Sequence, residues 1–499
     1  MGIVIMRFGF LAAAVASFVA LLSAMPTQAQ APVHSAAFAA GWHDAAAADS
    51  EVALTLIEEN HPGAAPQLSD KEFLSRLSLA ERHVAERLPK VVDFGGYSAL
   101  MDGLAADFRD GHIWSSAELG WKIVRWVGIV PIRKNGSWFV GAQKANGNEP
   151  DLSGAEIISC DGIAFDQFAK QRIGDFVGNP SLEAVLTSGA SSLLLDFQNP
   201  FIMRPKSCIF RKAGTDRTLV FSWRRELLSR INTLATNAIH QASAGLGVRM
   251  FSGGYWIALD TLTDKAKTVV DAVRANQQAL RTAPTVVVDL RGNGGGNSEY
   301  ASEIAAALVG EASVRAVEAK LPLCGGSYWR ASAQNLQAAE ISLQDARREG
   351  NQETVDFLTP VVTEMTRAIA AGHAFSPDLP VCASKALTVD QDLAGSNVPR
   401  TKMEGRLILV TDHACFSSCL IAVNLFRKLG ALHVGEPTDM STRYMEVREE
   451  AMPSGLRTFS TLQKVVVGLG NYGPYRPQVP YTGDLADTKA LQTWVAGLK

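Results

Sequence analysis

One run of residues, Thr285 to Asn297, restricts the fold of this chain more than any other. It reads Thr-Val-Val-Val-Asp-Leu-Arg-Gly-Asn-Gly-Gly-Gly-Asn, and a helical pattern follows from about Ser298 to Val309. The β-branched start predicts a buried strand. The glycines after it allow close backbone approach and let several N–H groups face one cavity. Such a cavity binds an anion, which is either a phosphate or the oxyanion of an acyl-transfer reaction.

The phosphate alternatives fit this run poorly. A P-loop requires Gly-Lys followed by Ser or Thr, and no lysine follows these glycines. A dinucleotide fingerprint requires the spacing G-x-G-x-x-G, whereas Gly292 and Gly294 are followed by Asn297 at the third position. A purely structural turn is the remaining alternative. The oxyanion interpretation therefore depends on a nucleophile elsewhere in the chain.

Length and charge narrow the class of protein. The 499 residues suffice for two or three domains with sizeable cores. A formal net charge of −3 with 19% charged residues gives no basic stripe, so nucleic acid is not expected as a partner. The sequence does not determine the oligomeric state.

The start of the chain has the pattern of an export signal. Arg7 supplies a positive charge, an apolar stretch follows from Phe8 to Leu22, and Thr27-Gln28-Ala29 forms a small-residue cleavage site. We therefore predict a signal peptide over residues 1–29 and an exported protein, periplasmic or secreted, without a stable membrane span after cleavage. A retained anchor is the alternative.

Six cysteines in an exported chain indicate disulfides. We predict two bonded pairs, Cys160 with Cys208 and Cys324 with Cys382. Cys415 and Cys419 lie four residues apart, and no second ligand pair with zinc-like spacing accompanies them. We expect this pair to be buried or oxidised, with a Cys415 nucleophile as the alternative. No metal and no cofactor is predicted.

The residue pattern divides the remaining chain into three parts. Residues 30–118 are expected to be helical, residues 119–228 to be β-rich, and residues 229–499 to form an α/β core in which strands and helices alternate. Within the core, residues 323–397 are expected to be a helical insertion. Its predicted αα-hairpin spans Arg330–Asn351 and Gln352–Ala371.

A second strand–turn–helix pattern supplies the candidate nucleophile. The strand Arg406–Thr411 is followed by Asp-His-Ala-Cys-Phe-Ser-Ser-Cys and a helix over Leu420–Leu429. Ser417 would lie at the helix N-terminus, where free N–H groups favour negative charge, unless it is simply an N-cap. Facing the glycine run at the carboxyl edge of a parallel sheet, this turn would complete an oxyanion hole.

These motifs resemble the C-terminal-processing (tail-specific) serine protease family, in the branch of the tricorn protease core and interphotoreceptor retinoid-binding protein. The shared pieces are the run Asp289–Gly296, the serine turn, and Gly-Glu-Pro-Thr from Gly435 to Thr438. The resemblance implies a ClpP/crotonase-like βαβ core with the inserted helical hairpin and an N-terminal helical segment. It also implies that the β-rich part is a PDZ-like module, whose sheet edge can take an extended peptide.

The resemblance implies particular residues for the nucleophile and the oxyanion hole. The distance to Gly435 favours Ser417 as the nucleophile over Ser418. Ser418 would then supply one oxyanion N–H, opposite that of Gly295 or Gly294. The family has an acidic residue at the third position after its nucleophile, and Leu420 stands there in this chain.

The resemblance also indicates the general base. The serine–lysine branch has its lysine at the position that Ser441 occupies here, whereas the Asp-x-His motif of the tricorn-like branch matches Asp110 to His112. We therefore expect His112 to be the base, because a neutral imidazole suits proton transfer near neutral pH. His413 is the alternative, whereas His61, which precedes Pro62-Gly63, is expected to be a turn histidine.

A third group should orient the base. The tricorn-like branch has a glutamate before a Gly-x-x-Pro segment near the end of its chain, and the similar place here is Gly-Asn-Tyr-Gly-Pro from Gly470. We expect Asn471 to take that place, since an amide can hold an imidazole tautomer by hydrogen bonding. Glu446 is the acidic alternative.

The sequence thus predicts an exported serine endopeptidase that cleaves peptides or protein tails through a serine acyl-enzyme. The lysine and the acidic marker after the serine are absent. A second hypothesis is therefore a catalytically inactive family member that binds a peptide or an apolar ligand in the same cleft. A third is a cell-envelope scaffold that uses only the PDZ-like module.

Overall fold

The computed structural model describes residues 36–117, 120–147, 149–239, 242–318, 325–379, 402–468 and 470–498. The predicted signal peptide and the predicted pair Cys324 and Cys382 lie outside the described residues. Within the described ranges, every helix is too short or too polar to cross a membrane.

The N-terminal part is helical, as predicted. The second and third helices begin at aspartate caps: Asp70 accepts the N–H of Phe73, and Asp93 accepts that of Gly96. These caps satisfy donors that the first turn of a helix leaves unpaired. The elements are α1 (Ala36–Asn60), α2 (Lys71–Arg87), α3 (Phe94–Asp107) and the short strand β1 (Ser115–Ala117).

A β-rich module follows. Its strands β5 (Glu156–Cys160) and β8 (Ser207–Lys212) pair antiparallel with Cys160 opposite Cys208, and the disulfide predicted between these two residues is present. Gly128, with φ 89°, turns the chain between the first two strands of this module. The elements are β2 (Ile123–Trp126), β3 (Ile129–Lys134), β4 (Ser137–Gln143), β5 (Glu156–Cys160), β6 (Ile163–Ala164), α4 (Phe165–Phe176), α5 (Glu183–Gly189), β7 (Leu195–Asp196), β8 (Ser207–Lys212), β9 (Thr215–Val220), β10 (Arg224–Leu227) and α6 (Leu228–Ile239).

The rest of the chain is the predicted α/β core. Its elements are β11 (Leu246–Phe251), β12 (Gly254–Leu259), α7 (Lys267–Ala275), α8 (Gln277–Thr282), β13 (Thr285–Asp289), α9 (Glu299–Val309), α10 (Glu311–Glu318), β14 (Gly326–Arg330), α11 (Ala333–Glu349), α12 (Gln352–Ala370), β15 (Phe375–Ser376), β16 (Arg406–Thr411), α13 (Ser418–Lys428), β17 (Leu432–Gly435), β18 (Tyr444–Ala451), β19 (Arg457–Val467), β20 (Val479–Pro480) and α14 (Thr488–Ala496). The α/β fold class is therefore confirmed.

The predicted helical hairpin is formed by α11 and α12. Ser332 caps the start of α11 by accepting the N–H of Asn335, and Gly350 ends that helix in the left-handed conformation. Asn351 then caps α12 by accepting the N–H of Thr354. Because the two caps are adjacent in sequence, the connection is short and the helices pack side by side.

The central sheet determines where the site lies. Its strand order is β11-β12-β13-β16-β17-β20, and all pairs from β12 to β20 are parallel. All five residues of β13 are buried, as expected for a parallel strand covered on both faces. The pairing of Asp289 with Val410 aligns the carboxyl ends of β13 and β16. The glycine run and the serine turn consequently leave the sheet side by side.

A second sheet connects the N-terminal and C-terminal parts of the chain. In it β1 pairs antiparallel with β19, which also pairs with β14 and β18. Apolar side chains of β19, including Phe459 and Leu462, share one buried cluster with Leu100 and Phe108 of the N-terminal part. The residue that follows α3 is therefore held against a strand from the far end of the sequence.

Candidate active site

The exit from β13 is rigidly held by a buried ion pair. Arg291 donates from Nε to Oδ1 of Asp289 at 2.9 Å, and Trp256 donates to Oδ2 of the same carboxylate at 2.9 Å. Both charged residues are fully buried. Removing either partner would leave an uncompensated buried charge, which is strongly destabilising. The Asp-Leu-Arg part of the motif thus supports the glycine turn structurally.

Hydrogen bonds join the glycine run to the serine turn at both ends. The N–H of Gly292 donates to the carboxylate of Asp412 at 3.0 Å. The hydroxyl of Ser418 donates to the carbonyl of Gly296 at 2.6 Å. The two turns therefore face each other with a fixed separation, as the sequence predicted for adjacent β-turn-α units.

Ser417 lies at the closest approach of the two turns, in an unusual backbone conformation. Its φ of 56° and ψ of −127° place it outside the regions that non-glycine residues favour, at a cost of about 1–3 kcal/mol. Gly295, with φ 104°, faces it so closely that a Cβ there would come 2.8 Å from Cβ of Ser417. Only glycine fits this place. The conformation presents the Ser417 side chain at the start of α13.

His112 meets this serine. Its Nε2 lies 3.1 Å from Oγ of Ser417, although 305 residues separate the two in sequence. The ring of Phe416 packs on the imidazole with centroids 4.4 Å apart, and Gly111 leaves room for that ring, since a Cβ at Gly111 would lie 2.7 Å from it. Packing and hydrogen bonding together fix the imidazole at the serine.

The backbone of His112 is anchored by β19. Ser460 donates its hydroxyl to the carbonyl of His112 at 2.9 Å and accepts the N–H of Trp114 at 2.7 Å. The N–H of Ser460 donates in turn to the carbonyl of Trp114 at 3.0 Å. The histidine is thus positioned by a strand that follows Ser417 in sequence.

Asp110 lies on the other side of the imidazole. Its Oδ1 is 3.3 Å from Nδ1 of His112 and also accepts the backbone N–H of that residue at 2.9 Å, while Thr442 donates to Oδ2 at 2.5 Å. Burial alone would raise the pKa of Asp110, but the hydrogen bonds from His112 and Thr442 outweigh it and hold that pKa below its ordinary value. The carboxylate accepts only, so Nδ1 carries the proton and Nε2 is free to accept from Ser417.

Ser441 completes the surroundings of the imidazole. Its Oγ lies 3.5 Å from Nδ1 of His112. Sequence reasoning singled out position 441 only because the family's lysine is missing there. In the structure, Ser441 at that position faces His112 of the Asp-x-His motif. Asp110, Ser441 and Thr442 are therefore site residues that the sequence analysis did not assign, and the Asp-x-His motif already contained the first of them.

The structure does not bring the expected third group to the base. Asn471 is exposed, and among the described contacts its side chain has none with His112. The alternative, Glu446, is buried and accepts a hydrogen bond from Lys464 at 2.7 Å. Asp110 occupies the place expected for this group. Order along the chain was a poor guide, because the carboxylate comes from the same turn as the histidine.

The expected oxyanion donors require one correction. The N–H of Gly295 donates to Oδ1 of Asn293 at 2.9 Å, so this N–H is occupied in the structure. The N–H of Gly294 has no acceptor among the described residues, and Gly294 is exposed beside the site. Ser418 is the first residue of α13, and the first N–H groups of a helix have no intrahelical acceptor. The N–H groups of Gly294 and Ser418 are thus the pair that the geometry leaves available.

His413, the alternative base, and His61, the expected turn histidine, are both engaged elsewhere. His413 lies 3.2 Å from Glu436 through Nδ1. Burial alone would lower the pKa of His413, but that hydrogen bond and the neighbouring carboxylates raise it. His61 accepts the N–H of Gly63 and stacks on Phe73, and burial lowers its pKa to about 3. His61 is therefore the turn histidine of the N-terminal part.

The serine turn carries a disulfide. Cys415 and Cys419 are bonded to each other and fully buried, with Cα atoms 5.4 Å apart. This pairing excludes Cys415 as a free nucleophile. Within the described ranges, no group of three or more His, Cys, Asp or Glu side chains is arranged to hold a metal ion.

Asp412 gives the site a pH-dependent contribution to stability. Burial raises its pKa to about 6, although the N–H groups of Gly292 and Ala414 donate to its carboxylate. The folded protein therefore keeps this proton to higher pH than the unfolded chain does. It follows that the contribution of Asp412 to the free energy of unfolding falls as pH rises from about 4 to about 6, and is constant above that range.

Replacing Asp412 with asparagine should remove that dependence. Between about pH 4 and pH 7, the free energy of unfolding should decrease less in Asp412→Asn than in the wild type, by up to about 3 kcal/mol. This figure corresponds to a pKa difference of about two units between the folded and unfolded states, at about 1.36 kcal/mol per unit. Urea unfolding at both pH values measures it, with the exposed Asp271→Asn as control. An unchanged pH dependence in Asp412→Asn would contradict this assignment.

An α/β sheet with a serine–histidine pair at its carboxyl edge is an arrangement shared by several classes of serine hydrolase, including peptidases and esterases. Residues 254–465 match the sequence model of peptidase family S41. The predicted resemblance to the C-terminal-processing proteases is thereby confirmed, over the α/β core rather than over the whole chain.

Two solved structures of CPAF show the same fold over nearly the full length. Mature CPAF is 10% identical, with 91% of this chain and 97% of that chain covered and a TM-score of 0.56. Mature CPAF complexed with lactacystin is 11% identical, with 91% and 98% covered and a TM-score of 0.54. The photosystem II D1 C-terminal processing protease is also 10% identical, with 90% and 96% covered and a TM-score of 0.33. No curated protein sequence matches this chain. At such identities the similarity to CPAF shows the fold alone.

Proposed function

We propose that this protein is an exported serine endopeptidase that hydrolyses peptides or protein tails through an acyl-enzyme on Ser417. The observation that carries the proposal is the 3.1 Å distance between Oγ of Ser417 and Nε2 of His112. A serine hydroxyl becomes a competent nucleophile when a neutral base lies within hydrogen-bond reach. Export rests on the signal-like pattern of residues 1–29.

Acylation follows from these positions. Oγ of Ser417 attacks the scissile carbonyl carbon while Nε2 of His112 takes the hydroxyl proton. The carbonyl oxygen becomes an oxyanion, which the N–H groups of Ser418 and Gly294 stabilise together with the N-terminal dipole of α13. Collapse of the tetrahedral intermediate breaks the C–N bond, and His112 gives its proton to the leaving amine.

Deacylation repeats the sequence with water as the nucleophile. His112 removes a proton from water, which attacks the ester carbonyl of acylated Ser417. The same two N–H groups stabilise the second oxyanion, and the proton returns to Oγ as the carboxylic acid leaves. One imidazole therefore acts as base and acid in both halves of the reaction.

Asp110 positions the base in this proposal. Replacing it with asparagine should lower kcat by about 10²-fold to 10³-fold with little change in KM, because an amide can donate to Nδ1 and favour the wrong tautomer. The loss is expected to be smaller than for a sole partner, since the hydroxyl of Ser441 also lies near Nδ1. Steady-state hydrolysis of a peptide substrate measures it. The exposed Asp271→Asn is the matched control, and equal kcat in both variants would exclude this role.

Covalent labelling tests the proposed function itself. A fluorophosphonate should phosphonylate Oγ of Ser417 with loss of fluoride, and mass spectrometry of the tryptic peptide locates the adduct. Labelling should persist in Ser418→Ala, whose hydroxyl is bonded to the carbonyl of Gly296, and vanish in His112→Ala. Absence of an adduct on the wild-type protein, under conditions that label a control serine protease, would refute the peptidase assignment.

The inactive ligand-binding alternative has less support. A strained serine, a base at 3.1 Å and a carboxylate behind it serve proton transfer, and none of them is needed to bind an apolar ligand. An apolar cavity in the described part of the chain lies between α3 and the β-rich module and is lined by residues such as Trp121, Phe176 and Leu193. None of its lining residues belongs to the serine site. A peptidase is therefore the function that the geometry favours.

A further inference from the structure

The disulfide between Cys415 and Cys419 encloses the residue proposed as the nucleophile. The bonded loop contains Phe416, Ser417 and Ser418, so Ser417 is its midpoint. One sulfur comes from the turn that follows β16, and the other comes from the first turn of α13. The bond therefore joins the two segments between which the backbone of Ser417 takes its unusual conformation.

We propose that this disulfide is a positioning device for Ser417, holding its backbone at positive φ and its hydroxyl at His112. This inference rests on the proposed function only for its kinetic readout. Hydrogen bonds also hold the neighbours of Ser417 to the glycine run: the N–H of Phe416 donates to the carbonyl of Asn293 at 3.2 Å, and the hydroxyl of Ser418 donates to that of Gly296 at 2.6 Å. The carbonyl of Ser417 itself accepts only the N–H of Leu420 at 2.9 Å among the described bonds, an ordinary helix-start bond that a serine with negative φ could equally accept.

The position of the bond favours a permanent brace over a redox switch. Both cysteines are fully buried in the main core cluster, beside residues such as Leu420 and Val423. A reductant in solvent cannot reach such sulfurs without local unfolding. The carbonyl of Cys415 also accepts the N–H of Asp439, which ties the braced turn to the loop that precedes Ser441. The disulfide thus fixes Ser417, which faces Nε2 of His112, relative to the loop that brings Ser441 near Nδ1.

The second disulfide of the chain provides a matched control. The stabilisation that a disulfide gives grows with the length of the loop it closes. Cys160 and Cys208 are 48 residues apart, whereas Cys415 and Cys419 are 4 apart. Removing the long-range bond should therefore cost more stability, and removing the short-range bond should cost more activity. If both disulfides had only a structural role, the bond that contributes less to stability would not contribute more to activity.

The test compares Cys415→Ala/Cys419→Ala with Cys160→Ala/Cys208→Ala in the full-length protein. The first pair is expected to lower kcat and the rate of fluorophosphonate labelling by about 10-fold to 100-fold, with KM within about twofold, because a misplacement of about 1 Å has effects of this size. The second pair is expected to lower Tm more and to leave kcat within about twofold. Wild-type kcat and labelling rate in a folded Cys415→Ala/Cys419→Ala protein would overturn the proposal.

Two further measurements keep the proposal testable. If the alanine pair does not fold by circular dichroism, wild-type protein produced under reducing conditions replaces it, with Cys415 and Cys419 verified as thiols by alkylation and mass spectrometry. Full activity of that thiol form would then overturn the proposal. If the wild-type protein is not labelled, the proposed function fails, but the positioning role is still decided by a crystal structure of the variant. Movement of Ser417 away from positive φ and from Nε2 of His112 supports it, and an unchanged serine refutes it.

Discussion

Ser417→Ala is expected to lower kcat for peptide hydrolysis by at least about 10⁴-fold, while substrate binding and thermal stability stay close to those of the wild type. Removal of the nucleophile leaves only the oxyanion donors and the binding of the substrate to accelerate hydrolysis, and these supply a small residual rate. The stability of the variant should be preserved or slightly increased. The described hydrogen bond of the Ser417 hydroxyl is the one with His112, and alanine keeps the same strained backbone angles. Progress curves at enzyme concentrations up to the micromolar range measure the residual rate.

Ser418→Ala is the matched control for that variant. The two serines are adjacent, but the Ser418 hydroxyl is buried and donates to the carbonyl of Gly296. Its removal should cost about 1–3 kcal/mol of stability through the unpaired carbonyl and less than about 10-fold in kcat. If Ser418→Ala were the inactive variant and Ser417→Ala the active one, the nucleophile would be Ser418 and the proposed register would be wrong by one residue.

His112→Ala is expected to lower kcat by about 10⁴-fold with KM little changed, since the base acts on the proton of Ser417 rather than on the bound substrate. The cavity left by the imidazole lies against the ring of Phe416 and opens toward Oγ of Ser417. Added imidazole should therefore restore part of the activity of this variant in a concentration-dependent way. A structural role of His112 alone would not produce such rescue.

His413→Ala is the corresponding control histidine. It stands four residues before Ser417, yet its ring is paired with Glu436. Its removal should change kcat by less than about fivefold, because the charge of His413 can influence the reaction only by a weak electrostatic interaction over distance. A loss as large as that of His112→Ala, together with rescue by imidazole, would transfer the role of base to His413.

The central part of the fold was predictable because its signals are local. The strand at Thr285–Asp289 and the strand at Arg406–Thr411 are apolar runs followed by turn residues, and both occur at the predicted positions. Their side-by-side pairing followed from the rule that consecutive β-turn-α units share one sheet edge. The hairpin of α11 and α12 was likewise predicted, and both helices begin and end within three residues of the expected bounds.

The surroundings of the base were less predictable because they depend on contacts between distant segments. Ser441 lies 3.5 Å from His112 across 329 residues, and no local pattern marks it as a partner. Asn471 was selected by its order in the chain, which carries no information on where its side chain points. The role of Asp110 could have been predicted from the Asp-x-His motif. An aspartate two residues before a histidine can accept the backbone N–H of that histidine and hold its ring at the same time. The occupied N–H of Gly295 depended on the rotamer of Asn293, which sequence does not specify.

The anchoring of His112 by Ser460 determines the order in which the proposed site can form during synthesis. His112 is synthesised early and Ser417 late, and the strand that holds His112, β19, is complete only at Val467. A nascent chain that has exposed Ser417 but not β19 therefore has both reactive groups without the sheet that brings them together. Under the proposed function, hydrolysis should arise only after β19 has been made and has paired with the segment that holds His112, so a fragment truncated before Arg457 should be inactive.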